Sequence, residues 1–314
     1  LAHNNYAILL QDLGRREEAA THYQAALDID PRDALAHNNY AILLKDLGRR
    51  EEAEEHYRAA LEIDPRYASA HYNYANLLQD LGRREAAATH YQAALDIDPR
   101  DALAHYNYAV LLAQTERPKE AEEHYRAALE IDPRYAAAHT GYALLLAQTE
   151  RPKEAEEHYR AALEIDPRHA LAHYNYALLL AQTERPKEAE THYRAALEID
   201  PRLAQAHNNY ANLLAETGRR EEAETHYQEA LEIDPRLAQA HNNGGPLPRG
   251  PGDRPPLRPG PHRLRPPSGA DGEAERGGRA LQGGPGDLPG PGGRGVCPDG
   301  AAQPGAAGGR GVIP

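Results

Sequence analysis

The side chains best suited to chemistry in this sequence are its seventeen histidines, most of which recur at a fixed spacing. One series repeats every 34 residues without an insertion or deletion, and a second histidine such as His56 recurs in each unit. Zinc needs three or four ligands within about 2.0–2.3 Å of one point, whereas equivalent residues of stacked helices lie at least an interhelical distance apart. We therefore expect no metal site and assign the histidines to packing or surface positions. The series spaced by 34 residues is His3, His37, His71, His105, His139, His173, His207 and His241.

No set of catalytic side chains accompanies the histidines. The sequence has no phosphate-binding glycine loop, no nucleophile beside a base and no carboxylate pair framed by apolar residues. The single Cys297 excludes an internal disulfide and a thiolate zinc site. Residues 1–243 carry 26 Lys and Arg against 42 Asp and Glu, a net charge of −16, whereas nucleic-acid binding needs clustered positive charge. We expect a protein that is not an enzyme, needs no cofactor and binds no nucleic acid.

The sequence also gives no sign of a membrane segment. No apolar run approaches the roughly 18 residues that a membrane helix needs, and no secretory signal opens the chain. We expect a soluble, cytoplasmic protein with no membrane partner. Because the 314 residues include no Met, we also interpret the sequence as a fragment or a gene model without a start.

The 34-residue period predicts stacked pairs of helices, each pair completing its core against the next. In residues 34–64, the positions of His37, Tyr40 and Leu44 form one stripe of a first helix. Gly48 ends that helix, because glycine readily takes the left-handed conformation found after a helix end. Tyr57 lies on the stripe of the second helix, and we expect the recurring tyrosines to be core residues. In the ERPKEA units the glycine is absent, and we expect Pro118 to lie in the first turn of the second helix.

These residues resemble the tetratricopeptide repeat (TPR) pattern. The signature consists of small Ala53 and Ala60, aromatic Tyr57 and the helix-ending Pro65, with Gly48 between the helices, and the resemblance covers residues 1–243. The AHNNYA and AHYNYA strings are similar to the superhelical TPR arm of the O-linked N-acetylglucosamine transferases. The resemblance implies an all-α, right-handed superhelical solenoid of about seven repeats, with the start of an eighth before Asn243. Its function would be that of a protein-protein interaction scaffold holding an extended peptide, or a helix of a partner, in a concave groove.

The resemblance further implies which residues line that groove. One asparagine per first helix would contact the backbone of the bound peptide, and an amide suits this role because it both donates and accepts hydrogen bonds. We call these residues the asparagine ladder; Gly141 interrupts it in the fifth repeat. Tyr72, Tyr106 and Tyr174, beside the ladder, would select ligand side chains. The alternative is that recent duplication copied a solvated or interhelical structural asparagine. The ladder comprises Asn5, Asn39, Asn73, Asn107, Asn175, Asn209 and Asn243.

The sequence also predicts which partners the groove favours and how the ends of the array behave. Asp12, Asp46 and Asp80 end the first three first helices, where the next three repeats have glutamine, so basic peptides should prefer the amino-terminal end of the groove. Neither end of the array shows the polar outer face of a terminal repeat, so end-to-end self-association is expected. Two other functions stay open: a substrate-recruiting or regulatory arm of a larger enzyme, such as a glycosyltransferase, and a purely structural spacer.

Residues 244–314 differ in composition from the repeats. They contain 21 of the 26 glycines and 15 of the 25 prolines, and we expect a disordered, low-complexity tail. The related strings that begin at Leu247 and Leu281 are nevertheless 34 residues apart. With suitable codons, a shifted reading of HYRAALEI gives the sequence of residues 280–287. We therefore interpret the tail as frameshifted repeat-coding sequence, with a genuine Gly/Pro linker as the alternative.

Overall fold

The computed structural model describes residues 1–237, which form seven consecutive pairs of α-helices and contain no β-strand. This part of the chain is thus an all-α solenoid of seven repeats, as predicted. In each repeat the odd-numbered helix is the first and the even-numbered helix the second. The helices are α1 (Ala2–Asp12), α2 (Arg16–Ile29), α3 (Ala34–Asp46), α4 (Arg50–Ile63), α5 (Ala68–Asp80), α6 (Arg84–Ile97), α7 (Ala102–Gln114), α8 (Pro118–Ile131), α9 (Ala136–Gln148), α10 (Pro152–Ile165), α11 (Ala170–Gln182), α12 (Pro186–Ile199), α13 (Ala204–Glu216) and α14 (Arg220–Ile233).

The turn inside a repeat is a left-handed helix end. Gly48 has φ +77°, its N–H donates to the Lys45 carbonyl, and the Arg49 N–H donates to the Leu44 carbonyl. This is the Schellman arrangement, which satisfies carbonyls left open at a helix end. The ERPKEA repeats keep the same conformation without glycine, and Pro118 begins α8 as predicted. Their left-handed residues are Glu116, Glu150 and Glu184, with φ of 57–60°.

The turn between repeats is fixed by its Asp-Pro-Arg sequence. The carboxylate of Asp64, which follows α4, accepts a hydrogen bond of 2.9 Å from the Arg66 N–H. An Asp side chain that bonds two residues ahead holds a turn locally, and proline cannot continue the helix. The same bond recurs after every second helix, at Asp30, Asp64, Asp98, Asp132, Asp166, Asp200 and Asp234.

Tyrosines and alanines fill the core, which confirms the packing role predicted for Tyr40 and Tyr57. At each of the six repeat boundaries a second-helix tyrosine stacks on a first-helix tyrosine of the next repeat, as Tyr23 does on Tyr40 at 5.7 Å between ring centroids. Tyr6, in the first repeat, is 44% exposed, and Leu9 beside it is also exposed. The predicted end-to-end association concerns this apolar surface and stays a prediction.

The first helices lie on the inner side of the array. At five of the six repeat boundaries consecutive first helices are in close contact, for example α3 with α5, whereas no comparable contact joins consecutive second helices of the described repeats. Helices that are closer together on one side curve the stack toward that side, so the surface of the first helices is concave. None of the helices in residues 1–237 is long and apolar enough to cross a membrane.

Four predictions fall on residues 238–314, outside the described part of the chain. They are the start of an eighth repeat, the ladder residue Asn243, the disordered tail and its frameshifted origin.

Candidate peptide-binding surface

The structure places the described ladder asparagines on the first helices, as predicted. Asn5 is exposed, Asn39, Asn73 and Asn209 are half-buried, and Asn107 and Asn175 are nearly buried. Four of the six form a hydrogen bond to the first helix of the preceding repeat. The Nδ2 donors are those of Asn39, Asn73, Asn107 and Asn209, at 2.6–3.2 Å from their acceptors.

In the first three repeats these bonds form a continuous network. Asn73 donates to Asn38, Asn38 to Asn39, Asn39 to Asn4 and Asn4 to Asn5, at 3.1–3.5 Å. The asparagines therefore have the interhelical role that we considered as the alternative. An amide has two N–H donors and two acceptor lone pairs, so one bond to a neighbour leaves capacity for a ligand.

The tyrosines beside the ladder are half-buried, and two of the three accept hydrogen bonds from ladder asparagines. The hydroxyls of Tyr72 and Tyr174 accept the Asn107 and Asn209 bonds at 2.6 and 2.9 Å. Tyr106 packs against Tyr135, with ring centroids 5.1 Å apart. At the same position the other repeats carry smaller side chains, which are buried and offer little surface to a ligand: Asn4, Asn38, Thr140 and Asn208.

Gly141 interrupts the ladder, and a tyrosine ring fills the space beside its α-carbon. A β-carbon at this position would lie 2.8 Å from the hydroxyl and 2.9 Å from Cε1 of Tyr125. Tyr125 comes from α8 of the preceding repeat, and its ring lies where a side chain at position 141 would begin. The described ladder is therefore divided into a run of four asparagines, ending at Asn107, and a second run that begins at Asn175.

The acidic residues at the ends of the first three first helices differ in their surroundings. Asp12, Asp46 and Asp80 are all exposed. Asp80 forms an ion pair with Lys45, with 3.0 Å between Oδ2 and Nζ. This ion pair offsets part of the carboxylate charge. The preference of basic peptides for this end stays a prediction.

The two histidines of each repeat meet in a direct hydrogen bond, which the sequence analysis did not foresee. In the second repeat His37 Nδ1 lies 2.8 Å from His56 Nδ1, and His37 Nε2 lies 3.2 Å from the Pro31 carbonyl. A carbonyl only accepts, so Nε2 of His37 carries the proton, Nδ1 is an acceptor, and His56 Nδ1 donates. Burial, followed by the neighbouring His37, lowers the pKa of His56 to about 4. Contacts of 2.8–3.0 Å join all seven pairs.

The charged residues also form hydrogen bonds and ion pairs between repeats. Glu54 on α4 accepts hydrogen bonds from Tyr74 and Arg83 of the next repeat, at 2.9 and 2.8 Å. Burial raises the pKa of Glu54, but these two bonds outweigh it and hold the pKa below its ordinary value. The same network recurs at three further repeat boundaries, around Glu122, Glu156 and Glu190. The first and third repeats have Ala20 and Ala88 in its place.

The fold and the repeated inner surface define a helical repeat solenoid with a groove of amide and phenol groups. Tetratricopeptide repeat models match residues 72–136, and also 1–66, 32–100, 134–202 and 168–236. These matches extend over residues 1–236, so the chain belongs to the tetratricopeptide repeat family, as its resemblance implied. Members of this family are generally protein-interaction scaffolds, and the fold is typically non-catalytic. A search of curated protein sequences gives no match.

Several solved structures share the fold. A chain of the APC/C hetero-tetramer Cut9-Hcn1 aligns with a TM-score of 0.66 and 16% identity, over 76% of this chain and 47% of that one. A tetratricopeptide repeat protein from Parabacteroides merdae gives 0.63 and 19%, over 77% and 96%. PilF of Pseudomonas aeruginosa gives 0.60 and 22%, over 68% and 98%. This chain thus spans about half the length of the Cut9-Hcn1 chain, and at these identities the likeness concerns the fold.

Proposed function

We propose that residues 1–237 form a scaffold that binds an extended peptide segment of a partner protein along the asparagine ladder, in a cytoplasmic setting. The observation that carries the proposal is the row of amide side chains on the inner surface, four of them aligned by hydrogen bonds to the preceding first helix. These bonds fix the orientation of the amides before a ligand arrives, which lowers the entropy lost on binding.

The spacing of the helices suits an extended chain. Packed helices lie about 8–10 Å apart, and an extended peptide advances about 3.3 Å per residue. Successive ladder amides would therefore meet every second or third peptide residue. The run from Asn5 to Asn107 is uninterrupted, whereas Gly141 leaves a gap before Asn175. The first four repeats should therefore provide the stronger part of the site.

The test is a peptide-array screen of the full chain against a variant with Asn39, Asn73 and Asn107 changed to alanine. Saturable binding by the parent chain and its loss in the variant would support the ladder. Binding that survives in the variant would refute it, and no binding by the parent chain would refute the peptide-scaffold proposal.

A matched control keeps the loss of binding distinct from the loss of structure. Glu55, Thr89 and Glu123 are exposed residues of second helices, and their replacement by alanine should leave binding intact. Because each of the three replaced asparagines also makes an interhelical bond, its removal costs about 1 kcal/mol of stability. Unfolding curves of both triple variants, with the screen run well below the transition, separate the two effects.

A further inference from the structure

The seventh repeat differs from the others at its histidine pair. His207 Nδ1 and His226 Nδ1 lie 3.0 Å apart, and Glu229 Oε2 lies 2.8 Å from the first and 2.9 Å from the second. Within residues 1–237 this is the only group of three potential metal ligands so close together. The other six repeats have alanine where this one has Glu229, namely Ala25, Ala59, Ala93, Ala127, Ala161 and Ala195.

The hydrogen bonds around the group leave too few protons for its acceptors. His207 Nε2 lies 3.1 Å from the Pro201 carbonyl, so in the neutral ring Nδ1 carries a lone pair. The Glu229 carboxylate only accepts. His226 can supply a single Nδ1 proton to the two of them, which leaves the lone pairs of His207 and Glu229 facing each other at 2.8 Å. That contact is repulsive unless a proton or a metal cation lies between the atoms.

We infer that His207, His226 and Glu229 form a binding site for a divalent transition metal ion such as Zn²⁺. Two imidazoles and a carboxylate are a donor set that zinc uses with a water at the fourth position. A triangle with sides of 2.8–3.0 Å lets an ion on one side of its plane approach all three atoms. Such an ion can lie about 2.0–2.2 Å from each of them, and opening the triangle by about half an ångström brings the ligand angles close to tetrahedral.

The surroundings favour this assignment. His207 is buried, with 6% of its surface exposed, and its Nε2 bond to Pro201 holds the ring with Nδ1 turned to the group. A metal-bound histidine usually donates its other ring N–H to a carbonyl or carboxylate in this way. The side chain of Glu229 is 44% exposed, so an ion and its water can reach the site. Our expectation of no metal site was based on the distance between equivalent histidines of different repeats. The site inferred here instead uses two histidines and a glutamate of one repeat.

Zinc titration of the full chain by calorimetry at about pH 7.5 tests the assignment. The comparison is with Glu229→Ala, which converts the seventh pair into a copy of the other six. We expect one tight site in the parent chain and binding at least tenfold weaker in the variant, since even a lost outer-shell contact costs about 10–100-fold. Coincident isotherms, or equally tight binding by the variant, would overturn the assignment.

Two further variants test the contribution of the carboxylate. Glu229→Gln keeps the size of the side chain but removes its charge, and should weaken binding as Glu229→Ala does. Ala195→Glu, introduced into the Glu229→Ala chain, places a carboxylate beside the His173–His192 pair, whose geometry is the same. It should restore one tight site. If it does not, while circular dichroism shows the fold intact, the assignment of three ligands is wrong.

Discussion

The histidine pairs make the stability of the array sensitive to mild acid. Burial, together with the partner histidine, lowers the pKa of five second-helix histidines to about 4. They are His56, His90, His124, His158 and His192. In the unfolded chain a histidine has a pKa of about 6.5. Between these values the unfolded chain binds more protons, so the free energy of unfolding decreases as pH decreases from about 6.5 to about 4.

The magnitude follows from the size of the shift and the exposure of the rings. The full shift would correspond to about 3 kcal/mol per histidine. Because water screens the half-exposed rings, we take about 1 kcal/mol for each, or roughly 5 kcal/mol for the five. Around His124 the charged and titratable neighbours are His105, Glu120, Arg117 and Tyr108. Glu120 opposes the shift and Arg117 adds to it, so neither changes its direction.

Urea unfolding followed by circular dichroism, at several pH values from about 7.5 to about 4.5, measures the effect. The His124→Gln variant can still donate to His105 but cannot titrate, so its stability should decrease by about 1 kcal/mol less over this range. Glu164→Gln, at an exposed position, should behave as the parent chain does. A free energy of unfolding that stays constant from pH 7.5 to 5, or the same decrease in His124→Gln, would refute the reasoning.

Four further substitutions test the interfaces and turns, each by chemical unfolding. Glu156→Gln removes a charged acceptor with 18% of its side chain exposed and should lower the free energy of unfolding by about 1–2 kcal/mol. Ala88→Glu should raise the free energy of unfolding by a fraction of this. Equal stabilities of the parent chain and these two variants would contradict the network. Glu150→Gly should stabilise by about 1 kcal/mol, because φ of 60° strains a residue with a β-carbon; a loss of stability would show that the strain is absent. Gly141→Asn should destabilise by about 1–3 kcal/mol through overlap with Tyr125, and unchanged stability together with stronger peptide binding would show that the gap is not steric.

Much of this architecture is determined by the sequence alone. Each helix and each turn is determined by residues that are close together in the sequence, and the 34-residue period repeats that local pattern. They predicted the seven helix pairs, the burial of Tyr40 and Tyr57, the left-handed Gly48 and the position of Pro118. The carboxylate at Glu229 was also visible, as the single departure from alanine in seven aligned repeats.

The contacts that define the sites were decided by the tertiary structure. His37 and His56 are 19 residues apart, Glu54 and Arg83 are 29 apart, and Asn39 and Asn4 are 35 apart. Whether such pairs meet depends on how far each helix is rotated and shifted against its neighbour, and helical periodicity does not contain that information. The same holds for Gly141, where the ring of Tyr125 from another repeat occupies the space. Periodicity therefore predicts which face of a helix is buried, and the packing of the helices decides which side chains meet there.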